Sequence, residues 1–155
     1  MKTSTSISEK QALEKLMQLC GRQEKCKADI RQKLRQWHIR DEVAEKIINQ
    51  LEKENFIDET RFALAFCRDK VLFNKWGKIK IGYNLKMKGI SETNISNSFS
   101  EINEKEYLAM IRKEILEKTR NTKAKSDWER KGKIMQFAQS RGYESDIVAD
   151  ILDGI

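Results

Sequence analysis

One apolar pattern is written three times along this chain, and that repetition limits its possible folds more than any other feature. The first copy runs Ile30, Leu34, Trp37-His38-Ile39, Val43, Ile47, Leu51. The same pattern returns 104 residues later as Ile134, Ala138, Arg141-Gly142-Tyr143, Ile147, Ile151, Ile155, with no gap. A middle copy runs Ile81, Leu85, Lys88-Gly89-Ile90, then Ile95 and Phe99 after one extra residue. Self-similarity at a period of roughly 50 residues marks a row of stacked modules. Such modules present extended surfaces to partners rather than closed pockets to substrates.

Composition narrows the architecture. Apolar residues make up 39% of the 155 positions, below the roughly 45–50% of ordinary globular domains, which favours several thin cores over one thick one. There is no proline, and 35% of residues are charged. With Lys, Glu, Leu and Ile abundant, an all-α fold is expected. No apolar run reaches the length of a membrane span. The opening residues carry no secretory signal. Three scattered cysteines, an odd number, fit a reducing compartment, so a cytoplasmic location is expected.

Periodicity and caps divide the chain into a flexible tail over 1–8 and three-helix repeats over 9–57, 58–102 and 103–155. In the first repeat, Ser8-x-x-Gln11 reads as a capping box. Ala12, Leu13, Leu16, Leu19 and Cys20 follow at helical spacing, and Gly21 is expected to end that helix. Helices over 27–37 and 41–54 complete the repeat. Asp58 caps the next helix, which Trp76-Gly77 breaks; helices over 78–88 and from Ser91 follow. Asn103 and Ser126-x-x-Glu129 cap the first two helices of the last repeat, with a polar loop over 119–125 between them, and 145–152 is the final helix. Gly89 and Gly142 fall just past the second helix of their copies, where a left-handed residue is commonly needed. His38 holds the equivalent place in the first copy, which makes it a cap rather than a catalytic base or metal ligand.

The net charge is +7, and it is concentrated. Residues 68–88 carry +6 and residues 112–133 carry +5, leaving −4 on the rest. Concentrated positive charge suggests nucleic acid or an acidic protein surface as partner. Trp76, with Lys75, Lys78, Lys80, Lys86 and Lys88, is the primary candidate contact site, because a tryptophan beside lysines can stack on a base or anchor a protein. Reversing charge at Lys75, Lys78 and Lys80 is expected to leave the fold intact. Arg120, Lys123, Lys125, Arg130, Lys131 and Lys133 form a secondary candidate set. Phe62, Phe66, Phe99 and Tyr107 read as core. The cysteines lack metal-ligand spacing, and no Gly-rich phosphate loop is present. No cofactor, metal or enzymatic activity is expected.

The stretch Phe56-Ile57-Asp58-Glu59-Thr60-Arg61-Phe62-Ala63-Leu64-Ala65-Phe66, followed by Gly77, Ile81, Leu85 and Lys88-Gly89-Ile90, resembles the RecX family of recombinase regulators. In the first copy, Ala12 to Leu16 and then Cys26, Ile30 and Leu34 extend the likeness, which covers about Glu9 to Leu152. The resemblance implies an elongated, curved row of three three-helix repeats. It also implies a monomer that binds RecA–DNA filaments and inhibits the recombinase and its associated ATPase and coprotease activities, with no catalytic residues and with single- or double-stranded DNA as a further partner. Cys26 stands where the family usually places a capping serine, so a weaker cap is expected there. The alternative is a direct DNA-binding protein in which the second and third helices of a copy act as a helix-turn-helix. Its reading helix needs polar side chains near its start, and the acidic, core-like residues over 145–152 disfavour it.

Overall fold

The computed structural model describes residues 7–155. The expected tail over 1–8 therefore lies, for residues 1–6, outside the described residues. Nine helices follow, with no strand among the described residues: α1 (Glu9–Arg22), α2 (Lys27–Gln36), α3 (Asp41–Lys53), α4 (Glu59–Asn74), α5 (Lys78–Met87), α6 (Glu92–Ser100), α7 (Glu104–Asn121), α8 (Asp127–Arg141) and α9 (Ser145–Asp153).

Local chemistry starts these helices. The side chains of Ser8, Asp58, Ser91, Asn103 and Ser126 each accept a backbone N–H three residues on, at 2.9–3.1 Å. Each bond satisfies one of the N–H groups that a helix start leaves unpaired. Cys26 makes no side-chain cap bond; Asp29 instead accepts the Cys26 N–H at 3.3 Å. Glycine or its stand-in ends the second helix of each group: His38, Gly89 and Gly142 have φ of 60°, 79° and 82°. His38 is a cap, with its N–H donating to the Arg35 carbonyl at 3.0 Å.

Three groups of helices bury three separate cores. Leu16, Ile30, Leu34, Ile47, Ile48 and Leu51 centre the first. Phe62, Ala63, Cys67, Ile81, Leu85 and Ile95 centre the second. Tyr107, Ile111, Ile115, Ile134, Ala138 and Val148 centre the third. The accessible surface is 10366 Å², where a compact protein of 18.2 kDa shows about 8,100 Å². Three thin cores in place of one thick core contribute to that surplus.

Four local readings need correction. The middle copy has no extra residue: α3 and α6 start at equivalent places, Asp41 and Glu92. Buried Ala44 matches buried Ile95 and buried Ile47 matches buried Ser98, so both helices turn equivalent positions inward and the register does not shift. Gly21 does not stop α1, which runs on to Arg22; nothing lies within 4 Å of where its Cβ would be, and one exposed glycine weakens a helix without breaking it. Likewise α7 continues to Asn121, shortening the expected loop. Ile155 follows α9 and is exposed, unlike its counterpart Leu51.

Candidate partner-binding surfaces

The primary candidate segment is the seam between the second and third helix groups. The backbone N–H groups of Gly77 and Ile79, at the start of α5, donate to the carbonyls of Arg141 and Gly142, at the end of α8, at 2.7 and 3.1 Å. Unpaired donors of one helix start thus satisfy unpaired acceptors of another helix end, and their dipoles align favourably. The approach is so close that a Cβ on Gly77 would lie 2.2 Å from the Gly142 carbonyl oxygen. Lys78 N–H donates to Tyr107 Oη at 2.8 Å, and Tyr107 in turn donates to Glu144. Burial, and then that bond to Glu144, push the Tyr107 hydroxyl far above its ordinary range. Tyr143 Oη donates to the Lys75 carbonyl at 2.6 Å, and burial pushes its hydroxyl up to about 12.

The primary site residues are therefore largely occupied within the fold. Lys78 Nζ pairs with Glu104 at 3.2 Å and lies over the Tyr107 ring. Lys80 Nζ donates to the Ser140 carbonyl at 3.1 Å and covers Trp76. Trp76 is half-buried, edge-on to Phe66, with Lys70 also over its ring. Lys75 is left-handed, at φ 58°, and its Nζ returns to the Leu72 carbonyl. Lys88 ties the first two groups, pairing with Asp29 at 2.7 Å. Arg61 with Glu24, and Lys27 N–H with Glu59, join the same seam, and Cys26 sits in the second core. Charge reversal at Lys78 and Lys80 thus strikes the fold as well as any partner. Phe62 and Tyr107 are buried as expected, while Phe66 and Phe99 are only partly so.

Lys86 is different. It is exposed, paired only at 3.6 Å with the equally exposed Glu92, and it stands among apolar neighbours. Ile79, Tyr83 and Met87 are 58%, 64% and 70% exposed. They recur every fourth residue along one line of α5. At 100° per residue, this stripe centres about 180° from the buried Ile81 and Leu85. A helix apolar on opposite faces is ordinarily covered on both; here one face is bare. This stripe was missed because only the buried period was counted, though the second period is equally visible in Ile79, Tyr83 and Met87.

The secondary set divides too. Arg130 pairs with Asp127, and Lys133 with Glu129 and the Lys123 carbonyl. Arg120, Lys123, Lys125 and Lys131 are exposed, with no carboxylate partner among the described residues. Beside them Trp128 is 87% exposed. Its signal in the sequence is its phase, about 120° around the helix from Ile134.

The third helices give little support to helix-turn-helix reading. Each has acid in its first turn: Asp41 and Glu42, Glu92, and Asp146. Those charges repel phosphates where base contacts would be made. Among the described residues no cluster of His, Cys, Asp and Glu is arranged to hold a metal, and no helix is long and apolar enough to cross a membrane.

Three small helical cores joined by polar and backbone seams define an all-α protein of tandem helix groups. Residues 58–97 match the family model for the second three-helix domain of RecX, and residues 104–152 that for the third. Regulatory protein RecX of Clostridium acetobutylicum is 31% identical over 136 residues, covering 84% of this chain and 62% of the relative. The RecX of Prosthecochloris aestuarii is 26% identical, with 93% of each covered. A crystal structure of regulatory protein RecX superposes with a TM-score of 0.83 at 22% identity, over 94% of this chain and 73% of that one. RecX from Lactobacillus salivarius gives 0.78 at 19%, over 94% and 95%. The chain belongs to the RecX family of regulatory proteins. It spans 62% and 60% of the length of two clostridial relatives.

Proposed function

We propose that this chain is a regulator that binds RecA–DNA filaments and inhibits the recombinase and the ATPase and coprotease activities that depend on the filament. It acts without catalysis of its own, by occupying filament surface. The observation that carries the reading is the bare stripe of α5. Ile79, Tyr83 and Met87 offer a protein partner an apolar ridge with Lys86 inside it. Aromatic and methionine side chains of this kind are favoured at the centres of protein interfaces. No acid lies between Lys70 and Lys88, so an apolar hollow rimmed by carboxylates on the recombinase is the complementary surface. Lys75, Lys78, Lys80 and Lys88 support the ridge by fixing α5 in place; Arg120, Lys123, Lys125 and Lys131 supply positive charge elsewhere.

The test is inhibition of RecA ATP hydrolysis on single-stranded DNA, with co-sedimentation to read binding. Tyr83→Ala combined with Met87→Ala is expected to weaken inhibition by tenfold or more, as losing interface anchors does, without lowering the melting temperature. Lys86→Glu is expected to weaken it further. Full inhibition by the double variant sinks this assignment of the docking face.

A further inference from the structure

α8 begins one turn before its counterparts. α2 and α5 start at matching positions, Lys27 and Lys78, and the 104-residue offset between the first and third copies places the third start at Lys131; α8 starts at Asp127. Packing within the repeat makes no use of the added turn, since the first buried residue of α8 is Ile134. Its largest side chain, Trp128, stands in water. Beside the indole is a hollow of about 470 Å³ lined by Lys131, Gly132, Met135, Gln136, Ala149 and the ion-paired Glu129 and Lys133. A Cβ on Gly132 would meet nothing within 4 Å. The fold therefore does not require glycine there, although glycine weakens a helix interior; its effect is a bare floor next to the ring.

The preceding loop is basic and fastened to this turn. Lys133 Nζ donates to the Lys123 carbonyl at 2.9 Å, and Lys125 N–H to Glu129 at 3.3 Å. The side chains of Arg120, Lys123 and Lys125, in the segment leading to this turn, are exposed, and exposed Lys131 lines the hollow itself. Trp128 is the sole strongly exposed large apolar side chain between Leu108 and Ile155 among the described residues. A protein anchor is ordinarily ringed by further apolar contacts, whereas a base needs only a π face, with cations for its phosphates.

We infer that Trp128 and the adjoining hollow form a stacking site for a base of single-stranded DNA, flanked by Arg120, Lys123, Lys125 and Lys131 as phosphate contacts. The inference deepens the proposed function by giving the strand inside the filament its own place on the regulator, apart from the α5 ridge. The ring requires an unstacked base, so single strands bind more tightly than duplex of equal length.

The experiment uses this chain alone with a fluorescein-labelled oligothymidylate, read by anisotropy over a salt series. Trp128→Ala is expected to weaken binding about 5-fold or more, the low end of base–aromatic stacking. Trp128→Phe keeps most of the affinity, and an abasic oligonucleotide of the same length binds parent and Trp128→Ala alike. Lys125→Ala with Lys131→Ala should flatten the log-affinity against log-salt slope by about 1.4, or 0.7 per lost contact. Parental oligothymidylate affinity in Trp128→Ala overturns the inference, as does equal loss on abasic strand. So does a Trp128→Ala variant that keeps its oligonucleotide affinity and loses filament inhibition, which assigns the ring to protein. Because no recombinase is present, failure here leaves the α5 ridge reading to its own assay.

Discussion

Lysines of similar sequence context have opposite fates in this molecule. Lys78, Lys80 and Lys88 are consumed by Glu104, Ser140 and Asp29, whereas Lys86, two residues from Lys88, is open to solvent. Nothing in the linear charge count separates them; what separates them is which helix end lies opposite. Cys67 is legible because Phe66 beside it packs on the same core, whereas Cys26, among charged neighbours in sequence, is buried in the core of the next group. Burial pushes Cys26 and Cys67 up to about 11, and raises Cys20, which is only half-buried. The thiolate is the reactive form. At pH 8 an aromatic disulfide reagent is therefore expected to label Cys20 alone, and slowly, with all three reacting only after denaturation. Fast labelling of all three would mean that the thin cores open on the reagent's timescale.

At the scale of elements, helix starts and stops were legible in the chain because they depend on three or four consecutive residues. Ser8, Asp58, Ser91, Asn103 and Ser126 cap where their hydroxyl, carboxylate or amide groups predict. His38, Gly89 and Gly142 adopt the left-handed turn. What the pattern could not disclose is that Gly77 and Gly142, each legible as local punctuation, meet 65 residues apart. Their joint role is contact between backbones, and contact across repeats leaves no periodicity to detect. Gly77→Ala is expected to cost roughly 1–3 kcal/mol by overpacking that seam, visible as earlier melting in calorimetry. Lys78→Glu with Lys80→Glu should also lower the melting temperature, by breaking the Glu104 and Ser140 contacts, while Lys86→Glu should leave it unchanged. Equal melting of all these variants would remove the seam from its structural role. The bare faces were legible in principle: Tyr83 and Trp128 are out of phase with the buried stripes of their own helices. The charge of the neighbouring lysines is the stronger signal in the sequence and masks that phase.

For the molecule as a whole, the two seams differ in kind, and pH tells them apart. The seam between the second and third groups is built mainly on backbone bonds and on neutral tyrosines, Tyr107 and Tyr143, which hold their protons far above neutrality, with one ion pair, Lys78 and the exposed Glu104, beside them. The seam between the first two groups relies on ions. Burial works against the charge on Asp29, but hydrogen bonds from Lys88 and the Cys26 N–H outweigh it and hold the carboxyl below its usual range. Burial likewise disfavours charge on Lys88, and the Asp29 partner outweighs it, raising the ammonium. A depressed carboxyl contributes stability above its unfolded value, about 3.9, and loses it as pH falls through the lower folded value. A raised ammonium contributes below its unfolded value, about 10.4, and loses it as pH rises through the higher folded one. The first seam is thus fully held between about pH 4 and 10. Both side chains are partly in water, so the pair is worth no more than about 1 kcal/mol. Amide exchange is expected to show α1–α3 losing protection below about pH 4, before α7–α9. In Lys88→Met that acid step shrinks, since Asp29 then keeps only its Cys26 N–H bond. If acid loosened the two ends of the row together, ions at the first seam would not be what sets its strength.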